Sequence, residues 1–478
     1  MAENLLALSK LIAAAAATLD HKFKEQQSQF PDLNLDTELT TIQTTLLKDE
    51  QVEEATAIAV AAAAQLIATV RLPEHNVTDI SQKFFISAAL GAASAFNLPE
   101  IIRETGAEKG CRTEEIANKS GLEPQMCARI LRALATHHVF REVTPNVFAN
   151  NRISHLLDTG KASDILFSKL ICASPEEKYI NGAHGVSALM EIHTDEAFKA
   201  TAYLTEALKL SVKDKVYRTP LSLSFNTSLD LFQWYELPEN KLRQQRFSIA
   251  MNNTMKNAGT ETVLAGFEWS QLPKDSTVVD VGARLGHISL ELLQNFPHLK
   301  AVVQDRHSVL DDARKYWIKH YPEAVENKRV MFQGNDFFKG QPVKDAAVFL
   351  IRYILHDWSD RDARTILQQL RTAATKATKL VVIDTLVPFA CQSSPDMFGD
   401  TMSSDKQGPY PLLSNYGLAG NFPHLMDIQM MTVLDGQERT ATHMESLLGS
   451  AGWGVERIIS PSRAGLVKTI VARPLLPN

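Results

Sequence analysis

The feature that most constrains the fold of this chain is a regular alternation that begins at Ser276. From there to the C-terminal region, short runs rich in β-branched residues alternate with amphipathic helical patterns. Alternation of this kind is typical of a Rossmann-like α/β fold with a mostly parallel, doubly wound sheet. The last two runs have no room for a long helix between them, so we expect them to pair antiparallel. The predicted strands are 278–281, 301–305, 330–333, 347–354, 379–384, 455–460 and 466–472.

The residues before this sheet are predicted to be mostly helical. Helices are expected at 2–23 and at 37–70, the second with an interruption. Residues 55–70 are alanine-rich and free of charge. They are fewer than the ~20 apolar residues that span a bilayer, so we expect a buried or self-associating helix and no membrane contact. We therefore divide the chain into a helical N-terminal arm (1–75), a winged-helix region (76–245) and the sheet domain (246–478).

Residues 113–148 have the pattern of a winged helix. Thr113 is a candidate N-cap, Gly121 offers a turn, and 123–137 returns to helical periodicity. A hairpin around Pro145 and Asn146 would form the wing. Winged helices often bind DNA, but the predicted second helix carries only Arg129 and Arg132 as cations. The chain has 49 Lys+Arg against 55 Asp+Glu, a net charge of −6, which argues against nucleic acid as a partner. A dimerisation or substrate-lid module is the favoured interpretation.

The four cysteines are scattered and form no C-x-x-C pair, so the sequence suggests no zinc site. Sparse cysteine fits a reducing compartment, and the N-terminal region lacks the features of a secretory signal. We therefore expect a cytoplasmic protein. Aromatic residues gather between the winged helix and the sheet, where they form either a pocket wall or core. They are Phe225, Phe232, Trp234 and Tyr235.

Polar and glycine residues follow the first three predicted strands, where ligands bind in doubly wound sheets. The first strand runs into the loop Asp280–Gly286, whose Gly282 and Gly286 permit a tight turn near a ligand. Asp305, followed by Arg306, ends the second strand and can accept the hydroxyls of a ribose. Asp336 and Phe337 follow the third strand, where a carboxylate and a ring could hold an adenine. Each signal alone is weak, but in this order they predict a nucleoside-binding site.

The fourth strand end reads Leu-Ile-Arg-Tyr-Ile-Leu-His-Asp-Trp-Ser-Asp at 350–360. Here the sequence resembles the S-adenosylmethionine-dependent O-methyltransferases of plant and fungal secondary metabolism, such as the caffeate and flavonoid O-methyltransferases. The resemblance covers about residues 80–475. Besides this run, it is carried by residues 280–286, 303–305, 382–388, 426–430 and 437–440. It implies a class I methyltransferase domain preceded by a winged-helix dimerisation domain.

The resemblance also implies roles for individual residues. His356 matches the general base of the family, and Asp384 and Glu438 match the acidic residues beside that base. S-adenosylmethionine would be the cofactor, and Arg352 falls where the family often has a cation. A sulfonium is already an electrophile, so no metal is expected. The partner would be an aromatic or polyketide small molecule, bound by a homodimer. Apolar residues assigned to the substrate chamber are Phe247, Met251, Met255, Met426 and Met430.

Two departures from the family pattern keep an alternative open. Ala283 and Arg284 replace the middle residues of a glycine-rich loop, and Asp384 stands where Glu is usual. Some fungal relatives bind S-adenosylmethionine but catalyse pericyclic cyclisation or dehydration without methyl transfer. Arg352 and His356 would suit that chemistry as well. A non-catalytic regulator with a decayed enzyme domain is disfavoured, because His356 and Asp305 are both present.

Overall fold

The computed structural model separates the chain into two units, residues 1–258 and 259–478. The structure describes residues 2–106, 109–168, 174–179, 185–214, 218–257, 261–391, 407–460 and 467–475. The division follows the helix Lys241–Asn257, which packs against buried side chains of the first unit. The finer boundaries at 75 and 245 stay predictions.

The first unit begins with a bundle of N-terminal helices. The predicted 37–70 helix is two helices, Thr41–Leu47 and Glu50–Val70, because the Asp49 side chain caps the second by accepting from the backbone N–H groups of Gln51 and Val52. Described helices of this unit are Ala2–Glu25, Thr41–Leu47, Glu50–Val70, Pro73–Ala95, Leu98–Thr105, Thr113–Ser120, Pro124–Thr136, Ser163–Leu166, Val186–Thr194, Glu196–Thr201, Leu204–Asp214, Pro220–Ser224, Leu231–Tyr235 and Lys241–Asn257.

The helix Glu50–Val70 is long and apolar enough to cross a membrane by length and composition alone. Core helices of soluble proteins satisfy the same criterion. Here Val52, Ala55, Ala61 and Ala62 are buried, and the helix packs against Ala2–Glu25. Only 22% of the apolar window of this helix is buried, so the helix is packed along one side, and the expected self-association stays a prediction.

The winged-helix pattern corresponds to helices Thr113–Ser120 and Pro124–Thr136 with a three-stranded sheet. Strands β1 (Cys111–Arg112), β2 (Arg141–Thr144) and β3 (Val147–Ala149) have the spatial order β1-β3-β2. The expected N-cap was wrong by one residue: Arg112 has the extended cap conformation, and Thr113 is buried in the first turn. Extended backbone at Arg112 follows from its pairing with Val147 in the sheet. The predicted hairpin around Pro145 and Asn146 is formed by β2 and β3, and its first strand begins at Arg141, after Phe140 with a positive φ of 75°.

The aromatic residues near 225–235 pack among themselves and against Phe247. Phe225 lies 4.5 Å from Trp234, and Tyr235 lies 5.2 Å from Phe247, between ring centroids. Trp234 and Tyr235 are buried. Of the two interpretations left open, the contacts within this unit favour core.

The second unit is built on a seven-stranded sheet of order β6-β5-β4-β7-β8-β10-β9. The first five of these strands are parallel, and β10 pairs antiparallel with both β8 and β9, as expected. The strands are β4 (Thr277–Val281), β5 (Lys300–Asp305), β6 (Val330–Gly334), β7 (Val348–Arg352), β8 (Lys379–Thr385), β9 (Trp453–Ile459) and β10 (Val467–Pro474). Described helices are Glu261–Ala265, His287–Asn295, His307–His320, Pro322–Glu326, Asp360–Ala373, Phe422–Val433 and Ala441–Ser450.

Apolar side chains cover both faces of this sheet. One buried cluster includes Phe349, Leu367 and Trp453, and the other includes Leu293, Val303 and Trp317. The strand order reverses between β4 and β7, which creates a crevice at the carboxyl ends of the strands. The predicted class of fold, Rossmann-like α/β, is confirmed.

Candidate active site

The loop after β4 makes a tight turn that only glycine allows at two positions. Gly282 and Gly286 have φ values of 73° and 72°. A Cβ on Gly286 would lie 2.9 Å from both Val303 Cγ2 and Trp317 Nε1, so the neighbouring core leaves no room for a side chain. Gly282 and Ala283 donate their N–H groups to the carbonyl of Gln304. The loop therefore lies directly over the end of β5.

Asp305 at the end of β5 organises the backbone around this loop. One of its carboxylate oxygens accepts the N–H of Arg284 and the other accepts the N–H of Arg306, each at 2.7 Å. A carboxylate has about four acceptor positions, so both oxygens retain one more. Asp305 can therefore hold the loop and still accept two hydroxyl groups. The Arg306 side chain is exposed beside it.

Asp280 lies deeper in the same site and is buried. Its Oδ2 accepts a hydrogen bond from Ser289 Oγ at 2.6 Å. Burial raises the pKa of Asp280 to about 6, although Ser289 and the charge of Arg352 favour the ionised form. Arg352 is 9% exposed, and its guanidinium lies 5.1 Å from the centroid of the Tyr353 ring.

The end of β6 carries the third predicted part of the site. Asp336 is exposed and forms a local turn, accepting the N–H of Phe338 at 3.1 Å and pairing with Lys339 at 3.2 Å. Phe337 is half-buried, and its ring meets Trp358 edge-on at 5.9 Å. Asn335 has its Nδ2 group buried without a hydrogen-bond partner among the described residues. An amide donor in that condition is suited to a ligand acceptor.

The fourth and fifth strand ends bring together His356, Asp384 and Glu438. His356 lies in a 3₁₀ turn, Leu355–Asp357, after β7, and Asp384 lies near the end of β8. His356 Nδ1 lies 2.8 Å from Glu438 Oε1 and 4.0 Å from Asp384 Oδ1. The side chains of Asp384 and Glu438 are 1% exposed. Contact with Glu438 favours the tautomer with a proton on Nδ1, leaving Nε2 as the acceptor.

Asp357 lies on the other side of the imidazole, with Oδ1 3.4 Å from His356 Nε2. Burial alone disfavours the imidazolium, but Asp357, Asp384 and Glu438 outweigh it and raise the pKa of His356 to about 10. Burial raises the pKa of Asp384 to about 7 and that of Asp357 to about 6. The site therefore holds a strongly basic imidazole among carboxyl groups that share protons near neutral pH.

The same three groups have the composition of a metal site. One ligand atom from each of His356, Asp384 and Glu438 lies within 4.8 Å of the others. Neither oxygen of Asp384 accepts a hydrogen bond from the described residues. The expectation that the reaction uses no metal stays a prediction.

The predicted substrate-chamber residues fall in both units. Met426 and the buried Met430 lie in the helix Phe422–Val433, whose Asp427 accepts the N–H of Glu438 at 2.9 Å. Phe247 and Met251 are half-buried against the core of the first unit. Met255 lies in the helix Lys241–Asn257, as do Phe247 and Met251, but its side chain is outside the described residues.

Three residues of the site were not assigned from the sequence: Asn335, Asp357 and Arg439. Asp357 was visible in the His-Asp-Trp run, but nothing local indicates that it faces Nε2. Arg439 follows Glu438 and is completely buried, donating to the carbonyl groups of Leu355 and Trp358. The partners of Asp357 and Arg439 are determined by tertiary contacts. Only their positions next to recognised motifs could have indicated a role in the site.

Comparison with known proteins identifies the family. A model of the O-methyltransferase dimerisation domain matches residues 78–160, and one of the O-methyltransferase domain matches residues 202–403. An O-methyltransferase of Armillaria gallica is 36% identical over 96% of both chains. The 4-O-methyltransferase 1 of Phanerochaete chrysosporium is 35% identical over 95% of both.

Solved structures agree at the level of the fold. The mitomycin 7-O-methyltransferase MmcR has a TM-score of 0.62 at 23% identity, covering 86% of this chain and 99% of its own. LepI in complex with S-adenosylmethionine has a TM-score of 0.63 at 19% identity, covering 88% of this chain and 94% of its own. On the strength of the full-length relatives, this chain belongs to the S-adenosylmethionine-dependent O-methyltransferases.

Proposed function

We propose that this enzyme methylates a phenolic or enolic hydroxyl of an aromatic or polyketide secondary metabolite, with His356 as the general base. The observation that carries the proposal is the 2.8 Å contact between His356 Nδ1 and the buried Glu438 carboxylate. It orients the ring as in a catalytic triad and leaves Nε2, which lies 3.4 Å from Asp357 Oδ1, as the nitrogen that would accept the proton of the substrate hydroxyl.

The glycine loop and the neighbouring strand ends fit S-adenosylmethionine. Gly282 and Gly286 give the loop a turn with positive φ that brings its backbone to the end of β5, and Asp305 retains acceptors for the ribose hydroxyls. The buried Asn335 Nδ2 has no hydrogen-bond partner among the described residues and is proposed to donate to the cofactor. Bound there, the cofactor supplies a methyl group on a positively charged sulfur. Asp280, Arg306, Asp336, Phe337 and Arg352 are the further residues proposed to contact it.

The carboxylates around His356 account for the strength of the base. A phenol has a pKa of about 10, whereas an ordinary imidazole has a pKa of about 6.5. Transfer of the phenol proton to an ordinary histidine is therefore uphill. With the pKa of His356 at about 10, the same transfer to Nε2 is nearly balanced. Glu438 and Asp384 then stabilise the imidazolium while the oxygen attacks.

The relatives support a hydroxyl as the methyl acceptor. Besides the 4-O-methyltransferase 1, Phanerochaete chrysosporium has a 3-O-methyltransferase 2 that is 28% identical over 98% of this chain. We propose that Phe247, Met251, Met255, Met426 and Met430 form the apolar walls that hold the substrate ring. The match to the dimerisation domain supports a homodimer as the working form.

A second candidate is pericyclic cyclisation or dehydration of a polyketide-derived substrate without methyl transfer. One observation favours it: three carboxyl groups lie 2.8–4.0 Å from the ring nitrogens of His356 and favour its imidazolium form, which is a proton donor. Such a group could polarise a carbonyl or protonate a leaving hydroxyl. The relatives that are 36% and 35% identical over 96% and 95% of this chain are O-methyltransferases, which supports the methyl-transfer proposal over this one.

The test uses the purified chain, S-adenosylmethionine labelled on its methyl group, and a panel of phenols, enolic polyketides and pyridones. Methyl transfer predicts label in an organic-soluble product, with S-adenosylhomocysteine formed in equal amount. Isomerised or dehydrated product with the cofactor unconsumed would replace this proposal by the second candidate.

A further inference from the structure

Arg439 joins the two loops that carry His356 and Glu438. Its side chain is 0% exposed and makes three directed contacts. Nη1 donates to the carbonyl of Leu355 at 2.7 Å, and Nη2 donates to that of Trp358 at 2.8 Å. These two carbonyl groups flank His356, and Glu438 precedes Arg439 in the chain. The Arg439 guanidinium therefore connects the turn that contains His356 to the loop that contains Glu438.

Asp360 completes the connection. Its Oδ1 accepts from Arg439 Nε and from Gln437 Nε2, each at 2.9 Å, and its Oδ2 contacts His443 Nε2 at 2.7 Å. The Arg439 cation is buried, and a buried cation needs a partner charge. Asp360 supplies that charge although it is itself half-exposed and belongs to the helix Asp360–Ala373.

The backbones of the two loops are also in direct contact. The N–H of Gln437 donates to the carbonyl of His356 at 2.9 Å. A Cβ on Gly436 would lie 2.1 Å from that carbonyl oxygen, so the loops could not approach as they do with any other residue there. The backbone contacts at Gly436 and Gln437 set the distance between the two loops. The three contacts of the Arg439 guanidinium restrict how one loop can rotate relative to the other.

We propose that Arg439, held by Asp360, is a positioning residue that sets the contact between Glu438 and His356. This inference rests on the proposed role of His356 as the base. Neither Arg439 nor Asp360 contacts the imidazole, so both act on it through the loop geometry. The Arg439 charge also favours the ionised form of Asp384, and Arg439→Lys retains that charge. A misplacement of about 1 Å in a catalytic group can cost about 10²-fold in rate.

The test compares Arg439→Lys and Asp360→Asn with Arg371→Lys as the matched control. Arg371 also donates to two carbonyl groups of the same unit, those of Gly452 and Leu475, but is not connected to the His356 turn. Lysine keeps the charge but cannot span the acceptors of an arginine fork. We expect Arg439→Lys to lower kcat by about 10²-fold, with cofactor affinity changed less than about twofold.

A second readout does not depend on turnover. The ¹⁵N shift of His356 Nδ1, followed by NMR against pH, reports its contact with Glu438. We expect the titration midpoint to fall in Arg439→Lys and to stay at its wild-type value in Arg371→Lys. If neither the wild type nor any variant transfers a methyl group, the result counts against the proposed function. The His356 titration would still test the positioning role of Arg439.

An unchanged His356 titration in a folded Arg439→Lys would overturn the inference, as would an equal change in Arg371→Lys. If Arg439→Lys does not fold, Asp360→Asn decides. It keeps the shape and the acceptor at Oδ1 but removes the charge that holds Arg439, so a lowered midpoint supports the inference and a wild-type one contradicts it.

Discussion

At the scale of single residues, the behaviour of His356 depends on the carboxylates beside it. A base with a raised pKa is protonated over more of the pH range, so catalysis by its neutral form should increase as pH rises from neutral toward about 10. An ordinary histidine would complete that increase near pH 7. A phenolic substrate also loses its proton near pH 10, so the shift of the profile between the wild type and a carboxylate variant is what reports on the carboxylate cluster.

Glu438→Gln should move the acid limb of the profile of kcat/KM to lower pH. The substitution removes a negative charge 2.8 Å from Nδ1, so the imidazolium loses stabilisation and the pKa of His356 falls toward 6.5. The maximum rate should also fall, by about 10-fold or more, because the weaker base accepts the phenol proton less readily. The measurement is initial rate against pH at saturating cofactor.

Glu456→Gln is the matched control for this prediction. Glu456 lies in the same unit and pairs with Lys379 at 2.7 Å, away from the His356 cluster. Its removal should leave the profile at its wild-type position. An unshifted profile in Glu438→Gln would mean that Glu438 does not tune the base.

At the scale of elements, the connection from β4 to the helix His287–Asn295 determines the shape of the cofactor loop. Gly286→Ala should destabilise the chain by about 1–3 kcal/mol and weaken cofactor binding, because φ is positive and the new Cβ would meet Val303 and Trp317. Thermal unfolding and cofactor titration measure both effects.

Gly449→Ala provides the comparison for that variant. Gly449 lies in the helix Ala441–Ser450, where an added Cβ would meet nothing within 4 Å. Alanine there should stabilise the chain by about 0.5–1 kcal/mol. Equal effects of the two substitutions would show that the Gly286 conformation is not required.

The elements also show what the sequence could predict. The parallel sheet follows from the period of apolar residues, and every predicted strand overlaps an observed one because buried strands have strong local signals. Helix ends were less certain: the Asp49 side chain begins a new helix inside the predicted one, and pairing of Arg112 with Val147 in the sheet moves the cap from Thr113 to Arg112. The glycine loop was predicted from motif spacing, although the crowding that excludes a side chain at Gly286 comes from Val303 and Trp317, which are distant in the sequence.

The pairing of His356 with Glu438 could not be derived from local patterns. The two residues are 82 positions apart, and only the family resemblance placed them together. Asp357 and Arg439 were not assigned, because their roles depend on which way a side chain faces after the loops pack. Tertiary contacts of that kind leave no periodic signal in the sequence.

At the scale of the whole molecule, we expect a dimer in solution with twice the chain mass of 53.0 kDa. The helix Pro73–Ala95 exposes Val77, Ile80, Phe84 and Phe85, an apolar surface larger than isolated residues would give. Light scattering after size exclusion measures the mass. Substituting Glu for Phe85 should shift the population toward monomer.

Val212→Glu is the control for the dimer surface. Val212 is also exposed but lies in another helix, Leu204–Asp214, outside the matched dimerisation domain at 78–160, so a charge there should leave the mass unchanged. A wild-type chain that runs as a 53.0 kDa monomer at micromolar concentration would contradict the dimer prediction.

The central claim is that His356 removes the proton of the acceptor hydroxyl during methyl transfer. The most direct test is single-turnover transfer from labelled S-adenosylmethionine by the wild type and by His356→Gln, with cofactor affinity measured for both. We predict a rate loss of about 10²–10⁴-fold, the usual contribution of a general base, with cofactor affinity within about twofold. Undiminished transfer by His356→Gln would contradict the account.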